Sequence, residues 1–170
     1  MTDEKRLTFK LVSLLLQYPG EELWDSIPLV REVLDELPHT QTVEAVEGFL
    51  DYLSATPLIR LQEQYTAIFD MDPDGCLNLT YHRCGDDKGR GSAMAELHAL
   101  YRSAGFEPLT SELPDYLPLI LEFLALCPEE AAPAICAQYG SEIERLGSRL
   151  KAFRSPYGAL FDVALSAIAR

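Results

Sequence analysis

Apolar residues recur at helical spacing along almost the whole chain. Leu7, Leu11, Leu14 and Leu15 fall on one face, and Tyr18-Pro19-Gly20 closes that element. A second helical stretch covers residues 21–37, with Pro28 marking a break or a fresh first turn. Residues 41–53 form a third, carrying Val43, Val46, Phe49, Leu50 and Leu53. Pro57 opens a fourth, striped by Leu58, Leu61, Tyr65 and Ile68. From residue 70 to residue 91 the pattern stops, and Gly, Asp, Pro and Asn dominate. Irregular segments of that length inside a compact domain are usually functional or mobile. Helical periodicity resumes over residues 92–104 and then over 112–124, 129–139, 141–153 and 156–169. No useful β-alternation, repeat or linker divides the chain. The expectation is one all-α domain over residues 1–170, a bundle of about eight to ten helices.

The segment Glu112-Leu113-Pro114-Asp115-Tyr116-Leu117-Pro118-Leu119-Ile120-Leu121-Glu122-Phe123-Leu124 stands apart. It is apolar almost all round, the mark of a buried helix. Continued from Asp115 at 3.6 residues per turn, the helix returns Glu122 to nearly the same face. Carboxylates in such surroundings need a cation or a donor close by. The acidic stripe therefore points to an internal basic partner or to a groove awaiting an external one. Asp115 also reads as a plain N-cap, with Pro118 in the first turn. Nothing in the segment suggests catalysis, because it holds no nucleophile and no histidine.

Composition narrows the partners. The formal net charge is −13, from 27 acidic and 14 basic residues. Such a chain repels nucleic-acid phosphates and anionic membrane surfaces, and would attract a basic ligand or peptide. No apolar run approaches the roughly eighteen residues that a membrane span requires. The first residues lack a signal-peptide cleavage pattern, so the chain reads as cytoplasmic. Cys76, Cys84, Cys127 and Cys136 contain no C-x-x-C pair. They are expected to be free thiols, with Cys127 and Cys136 in the core.

Three motifs in the irregular segment invite chemistry. Asp70, Asp72, Asp74 and Gly75 open like a calcium-binding loop, but its bidentate glutamate is replaced by Tyr81. Cys76, His82 and Cys84 could hold zinc, though their spacing fits no closed site, and a polar, groove-facing His82 is the preferred reading. The run Gly85-Asp86-Asp87-Lys88-Gly89-Arg90-Gly91-Ser92 lacks the G-K-[ST] ending of a phosphate loop, and its aspartates would repel phosphate. Arg90 remains as a cation for the acidic stripe. No metal site and no catalytic residue is expected.

Taken with Glu112-Leu113-Pro114-Asp115-Tyr116-Leu117-Pro118, the Gly85–Met94 run and Tyr157-Gly158-Ala159-Leu160-Phe161-Asp162 resemble the nitrate reductase assembly chaperones of the NarJ type. These sit within the wider TorD/DmsD group of redox-enzyme maturation chaperones. The resemblance extends over most of the chain, and the Glu-Leu-Pro-Asp block before an apolar helix is its most specific element. It implies an all-helical chaperone without enzymatic activity and without a permanently bound cofactor. The partner it implies is the N-terminal segment of a molybdenum-containing reductase catalytic subunit, held in the cytoplasm. That client would receive molybdopterin guanine dinucleotide and an iron–sulfur cluster before membrane docking or export. Cofactor-delivery proteins are a further class of partner, and neither nucleic acid nor direct membrane insertion is implied. By position, the peptide-binding residues would be Asn78, Tyr81, His82, Arg90, Glu112, Pro114, Asp115, Tyr116, Pro118 and Glu122. Family members commonly carry histidine where this chain has Tyr116.

Two other readings compete. A helical scaffold binding a folded partner predicts that changes in the Glu112 segment act through stability alone. A metal-dependent bundle needs Glu-x-x-His pairs, whereas Glu96-Leu97-His98 is spaced by two.

Overall fold

The structure, a computed structural model, describes residues 1–38, 40–84 and 88–169. Among them are nine α-helices: α1 (Asp3–Leu15), α2 (Glu21–Asp35), α3 (Gln41–Ala55), α4 (Leu58–Tyr65), α5 (Leu79–Cys84), α6 (Lys88–Ser103), α7 (Leu117–Leu126), α8 (Ala132–Ala152) and α9 (Gly158–Ala169). A π-helical turn, Thr66–Asp70, extends α4, and a 3-10 turn spans Pro73–Gly75.

The most apolar helix takes the centre. α7 buries Leu117, Leu119, Ile120, Leu121, Phe123 and Leu124, and α1 lies along it. Two polar contacts fix that pairing at its ends. Ser13 Oγ donates to the Pro118 carbonyl at 2.7 Å, and the Arg6 guanidinium donates to the Ala125 and Cys127 carbonyls. A guanidinium there satisfies the last, otherwise unpaired carbonyls of α7 and suits its dipole. α9 packs on α1, α3 and α8. It approaches α8 closely at Gly147, where a Cβ would meet that of Phe161 at 2.8 Å. Phe49, Tyr65, Phe69 and Tyr157 stack edge-on into one aromatic cluster joining α3, α4, the π-turn and the start of α9.

Four boundaries differ from the periodic reading. α2 runs straight through Pro28, whose exposed ring sits on the solvent face, where water can serve the carbonyl it leaves unpaired. The stretches read as 129–139 and 141–153 merge into one helix, α8, which begins only at Ala132, because Gly140 lies in open space and nothing forces a break there. α7 starts at Leu117, so Asp115 lies outside it. The segment from 70 to 91 is shorter in irregular backbone than its composition suggests, since it contains the 3-10 turn and α5 and reaches the start of α6. Gly85, Asp86 and Asp87 lie outside the described residues.

Candidate functional site

The segment before α7 and the segment before α5 run side by side. Leu79 N–H donates to the Asp115 carbonyl at 3.0 Å, and Leu117 N–H donates to the Leu77 carbonyl at 2.9 Å. This short antiparallel bridge pairs Asn78 with Tyr116. It places both residues on the surface of one groove.

Asp115 lies directly beneath, with no exposed surface. Its carboxylate accepts from Asn78 Nδ2 at 3.0 Å, from the Thr80 N–H at 3.2 Å and from Thr80 Oγ1. Arg90 stands 3.9 Å away and donates through Nε to Thr80 Oγ1 at 3.3 Å. The expected N-cap role is therefore redirected. Asp115 does not cap the helix that follows it, and instead serves the free amide in the first turn of α5. Both terms of the sequence argument are met: a buried carboxylate has its donors, and a cation stands near.

The groove itself consists of two clefts that meet at Tyr18, Glu112 and Tyr116. One, of about 320 Å³, is completed by Gln17, Thr110, Pro118, Leu119 and Glu122. The other, of about 390 Å³, is completed by Tyr65, Phe69, Asp70, Cys76, Leu77 and Asn78. Carboxylates thus stand at one end (Glu122), the middle (Glu112) and the other end (Asp70), over an aromatic floor. Among the described residues, no lysine or arginine lines either cleft. Lys10 stands beside the rim, its Nζ 2.6 Å from Glu122.

At the centre two phenols touch. Tyr65 Oη donates to the Leu16 carbonyl at 2.9 Å, and the Tyr116 and Tyr65 hydroxyls are 3.2 Å apart. Burial pushes both phenols above the ordinary tyrosine range. Both stay protonated at any physiological pH. Tyr18, about half exposed, packs edge-on against Tyr65 with centroids 5.5 Å apart.

Of the residues expected to bind peptide, Asn78, Glu112, Tyr116, Pro118 and Glu122 line the groove. Asp115 supports it from below. Arg90 stands behind it, its guanidinium 5.6 Å from the Tyr81 ring. Pro114 accepts a bond from the buried Tyr101 hydroxyl at 2.8 Å, so it anchors the rim rather than lining the groove. Tyr81 packs edge-on against His82, and neither lines the groove. The His82 Nε2–H donates to the Cys76 carbonyl at 2.6 Å, and burial lowers the ring's pKa, so His82 is a neutral clamp on the loop. The groove-facing reading of His82 is thereby corrected.

The loop chemistry resolves similarly. Arg149 reaches from α8 to Asp72 and, at 3.6 Å, to Asp74, while Asp72 accepts from the Asp74 N–H. Two of the three calcium-like carboxylates, Asp72 and Asp74, are therefore held by a protein cation, and the third, Asp70, faces the groove. Among the described residues no cluster of three His, Cys, Asp or Glu side chains could hold a metal ion. Cys127 is buried as expected, whereas Cys136 is only partly so.

Sequence reasoning missed Gln17, Tyr18, Tyr65, Phe69, Asp70, Cys76, Leu77, Thr110 and Leu119 as groove residues. Tyr18 carried one signal: a large aromatic just past a helix end, in a turn with proline and glycine. The π-turn that presents Phe69 and Asp70 has no comparable signature, although such turns recur at functional sites.

Comparison with known proteins decides the family. The model of the nitrate reductase delta subunit family matches residues 35–162. The chain belongs to that family. Among delta-subunit relatives, the probable nitrate reductase molybdenum cofactor assembly chaperone NarJ of Bacillus subtilis (strain 168) is 34% identical, over 98% of this chain and 91% of its own length. Nitrate reductase molybdenum cofactor assembly chaperone NarJ of Escherichia coli (strain K12) is also 34% identical, over 91% of this chain and 66% of its own. In fold, a redox enzyme maturation protein from Archaeoglobus fulgidus superposes with a TM-score of 0.69, covering 97% of this chain and 94% of that one at 20% identity. That likeness establishes the architecture. The family is one of assembly chaperones, so the chain is not a catalytic enzyme.

Proposed function

We propose that this delta-subunit member is a cytoplasmic, system-specific chaperone for a molybdenum-containing reductase, nitrate reductase or a close relative. It holds the N-terminal segment of the catalytic subunit while molybdopterin guanine dinucleotide and an iron–sulfur cluster are inserted, before membrane docking or export. The peptide lies in the groove over Tyr18 and Tyr116. The observation that carries this reading is the lining: three carboxylates spaced along an aromatic floor, with no cation among the described lining residues. Such a surface fits an amphipathic helix that lays apolar side chains on the floor and cationic ones on the rims. Each desolvated charge-assisted bond contributes on the order of 1.5–3 kcal/mol. No helix of the described residues is long and apolar enough to cross a membrane.

Calorimetric titration tests it, using N-terminal peptides of the molybdenum reductase catalytic subunits encoded beside the gene. Micromolar or tighter binding that weakens with salt supports the reading, and Glu112→Gln should reduce it. Absence of binding to the folded protein with every such peptide overturns it.

A further inference from the structure

The polarity of one hydrogen bond at the centre of the groove determines what the groove can read. Tyr65 has a single hydroxyl proton, and it goes to the Leu16 carbonyl at 2.9 Å, a group that can only accept. In the 3.2 Å contact between the two phenols, Tyr65 must therefore be the acceptor and Tyr116 the donor. The Leu16 carbonyl lies past the last turn of α1, and the Tyr65 side chain is buried, so the order of this relay is imposed by the fold. Tyr116 has spent its only proton inward. What its oxygen offers to the groove is lone-pair density alone.

The neighbouring carboxylates and Asn78 agree. Glu112, Glu122 and Asp70 are acceptors when ionised. Asn78, the lining side chain beside Tyr116, has its Nδ2 turned down onto Asp115.

We infer that Tyr65 sets Tyr116 as an acceptor-only contact, so that the middle of the groove selects a cationic N–H donor, a lysine ammonium or arginine guanidinium, over an apolar side chain of similar shape. The inference rests on the peptide-binding reading above and adds to it a specificity-determining residue, Tyr116, and a positioning residue, Tyr65. Glu112 supplies charge at the same place, and Tyr116 supplies direction. An apolar side chain there, with no donor, would leave the phenol oxygen covered and unpaired, which is the costly half of a hydrogen bond.

The test is a double-mutant cycle by calorimetry. The probe is the N-terminal peptide that the native protein binds, with each lysine and each arginine replaced in turn by norleucine, which has no N–H to donate. In the native protein one replacement should weaken binding about tenfold beyond the loss each other replacement brings. Tyr116→Phe, which keeps the ring and the floor, should bind the unmodified peptide about tenfold more weakly and should lose sensitivity to that one replacement. Tyr65→Phe lets the Tyr116 proton turn outward. Its ratio of affinities for the unmodified and norleucine peptides should fall, a change that a merely structural role for Tyr65 would not produce. Equal weakening of all peptides by Tyr116→Phe, or none, overturns the inference while leaving peptide binding in place. Failure of every peptide to bind the native protein instead removes the function itself.

Discussion

Asp115 and Glu122 stand seven residues apart, and helical geometry from Asp115 onward assigns them one face and one role. The fold separates them. Asp115 is wholly buried, accepts bonds from Asn78 and Thr80, and has Arg90 within 3.9 Å. Glu122 keeps about a third of its side chain exposed, lines the groove and has Lys10 beside it. The difference teaches where a carboxylate does structural work and where it is available to a ligand. A buried one whose partners come from α5, the segment before it and α6 holds those elements together. A rim carboxylate with one flexible, solvated partner can exchange that partner for another at little cost. Removing both at once would mix a loss of fold with a loss of binding, so single variants are the informative ones.

The largest effect is expected at Asp115. Asp115→Ala leaves the Asn78 amide and the Thr80 N–H and hydroxyl without their acceptor, and removes the carboxylate that stands near the Arg90 guanidinium. Breaking a buried network from one side costs about 3 kcal/mol or more. Asp115→Asn should recover only part of this, because one acceptor oxygen replaces two and its amide would face donors. Urea denaturation followed by circular dichroism measures both. If Asp115→Ala unfolded at the native midpoint, the carboxylate would not be the tie between α5 and α7, and its distinction from Glu122 would disappear.

Gly75 comes next, since it sets the position of the loop that carries Cys76, Leu77 and Asn78 to the groove. A Cβ there would lie 1.9 Å from the backbone carbonyl oxygen of Ile68 in the π-turn. That atom cannot move without the turn, so Gly75→Ala should cost about 2 kcal/mol. It should also displace Asn78 from Tyr116, which peptide titration of the folded variant would show as weaker binding. Gly140→Ala, in open space, is the control and should be neutral or slightly stabilising.

Smaller still is Arg149→Met, which frees Asp72 and Asp74 on the exposed side of the same loop. Arg149 holds the Asp72 carboxyl below its ordinary pKa. A carboxylate depressed in the fold binds fewer protons there than in the unfolded chain. Its contribution is fully present above the unfolded pKa, near 4, and is lost as pH falls through the folded value. Native protein and variant should therefore differ at neutral pH and converge in acid. Melting temperatures measured from pH 7 down to pH 3 provide the check. A constant gap would assign the effect to packing of the guanidinium on Phe153, 5.0 Å away, instead.

How far the chain discloses this arrangement depends on which interactions are local. Helical class, the burial of the Leu117–Leu126 helix and the breaks at Tyr18-Pro19-Gly20 and Pro57 follow from periodicity and turn chemistry, both properties of neighbouring residues. The need of Asp115 for a donor and a cation was likewise legible, because burial of a charge dictates it. Which donor was not: Asn78 and Thr80 lie more than thirty residues away, brought in by a bridge of two backbone bonds with no side-chain signature. Glycine-rich composition overstated the irregular segment for a related reason. α5 begins on an acceptor supplied from another part of the chain, not on a local cap. Tyr65 illustrates the limit most sharply. Its spacing marks it correctly as core, yet its hydroxyl, at the edge of that core, orients the centre of the groove.

The smallest effect on stability, and the one that completes the comparison, is expected at Glu122. Its bond to Lys10 joins two side chains in contact with solvent, and such pairs contribute roughly 0.2–1 kcal/mol. Glu122→Gln keeps the shape and removes the charge, so its denaturation midpoint should lie within error of the native one. Peptide affinity should nevertheless fall a few-fold, about 0.5–1 kcal/mol for a solvent-screened rim charge, and the fall should shrink as salt is raised. Lys10→Met supplies the opposite arm. It frees Glu122 from its internal competitor, so a cationic peptide should bind slightly more tightly to it than to the native protein. Should both variants bind as the native protein does at low salt, Glu122 would be a solvated neighbour of the groove, and recognition would rest on Glu112, Asp70 and the Tyr116 oxygen.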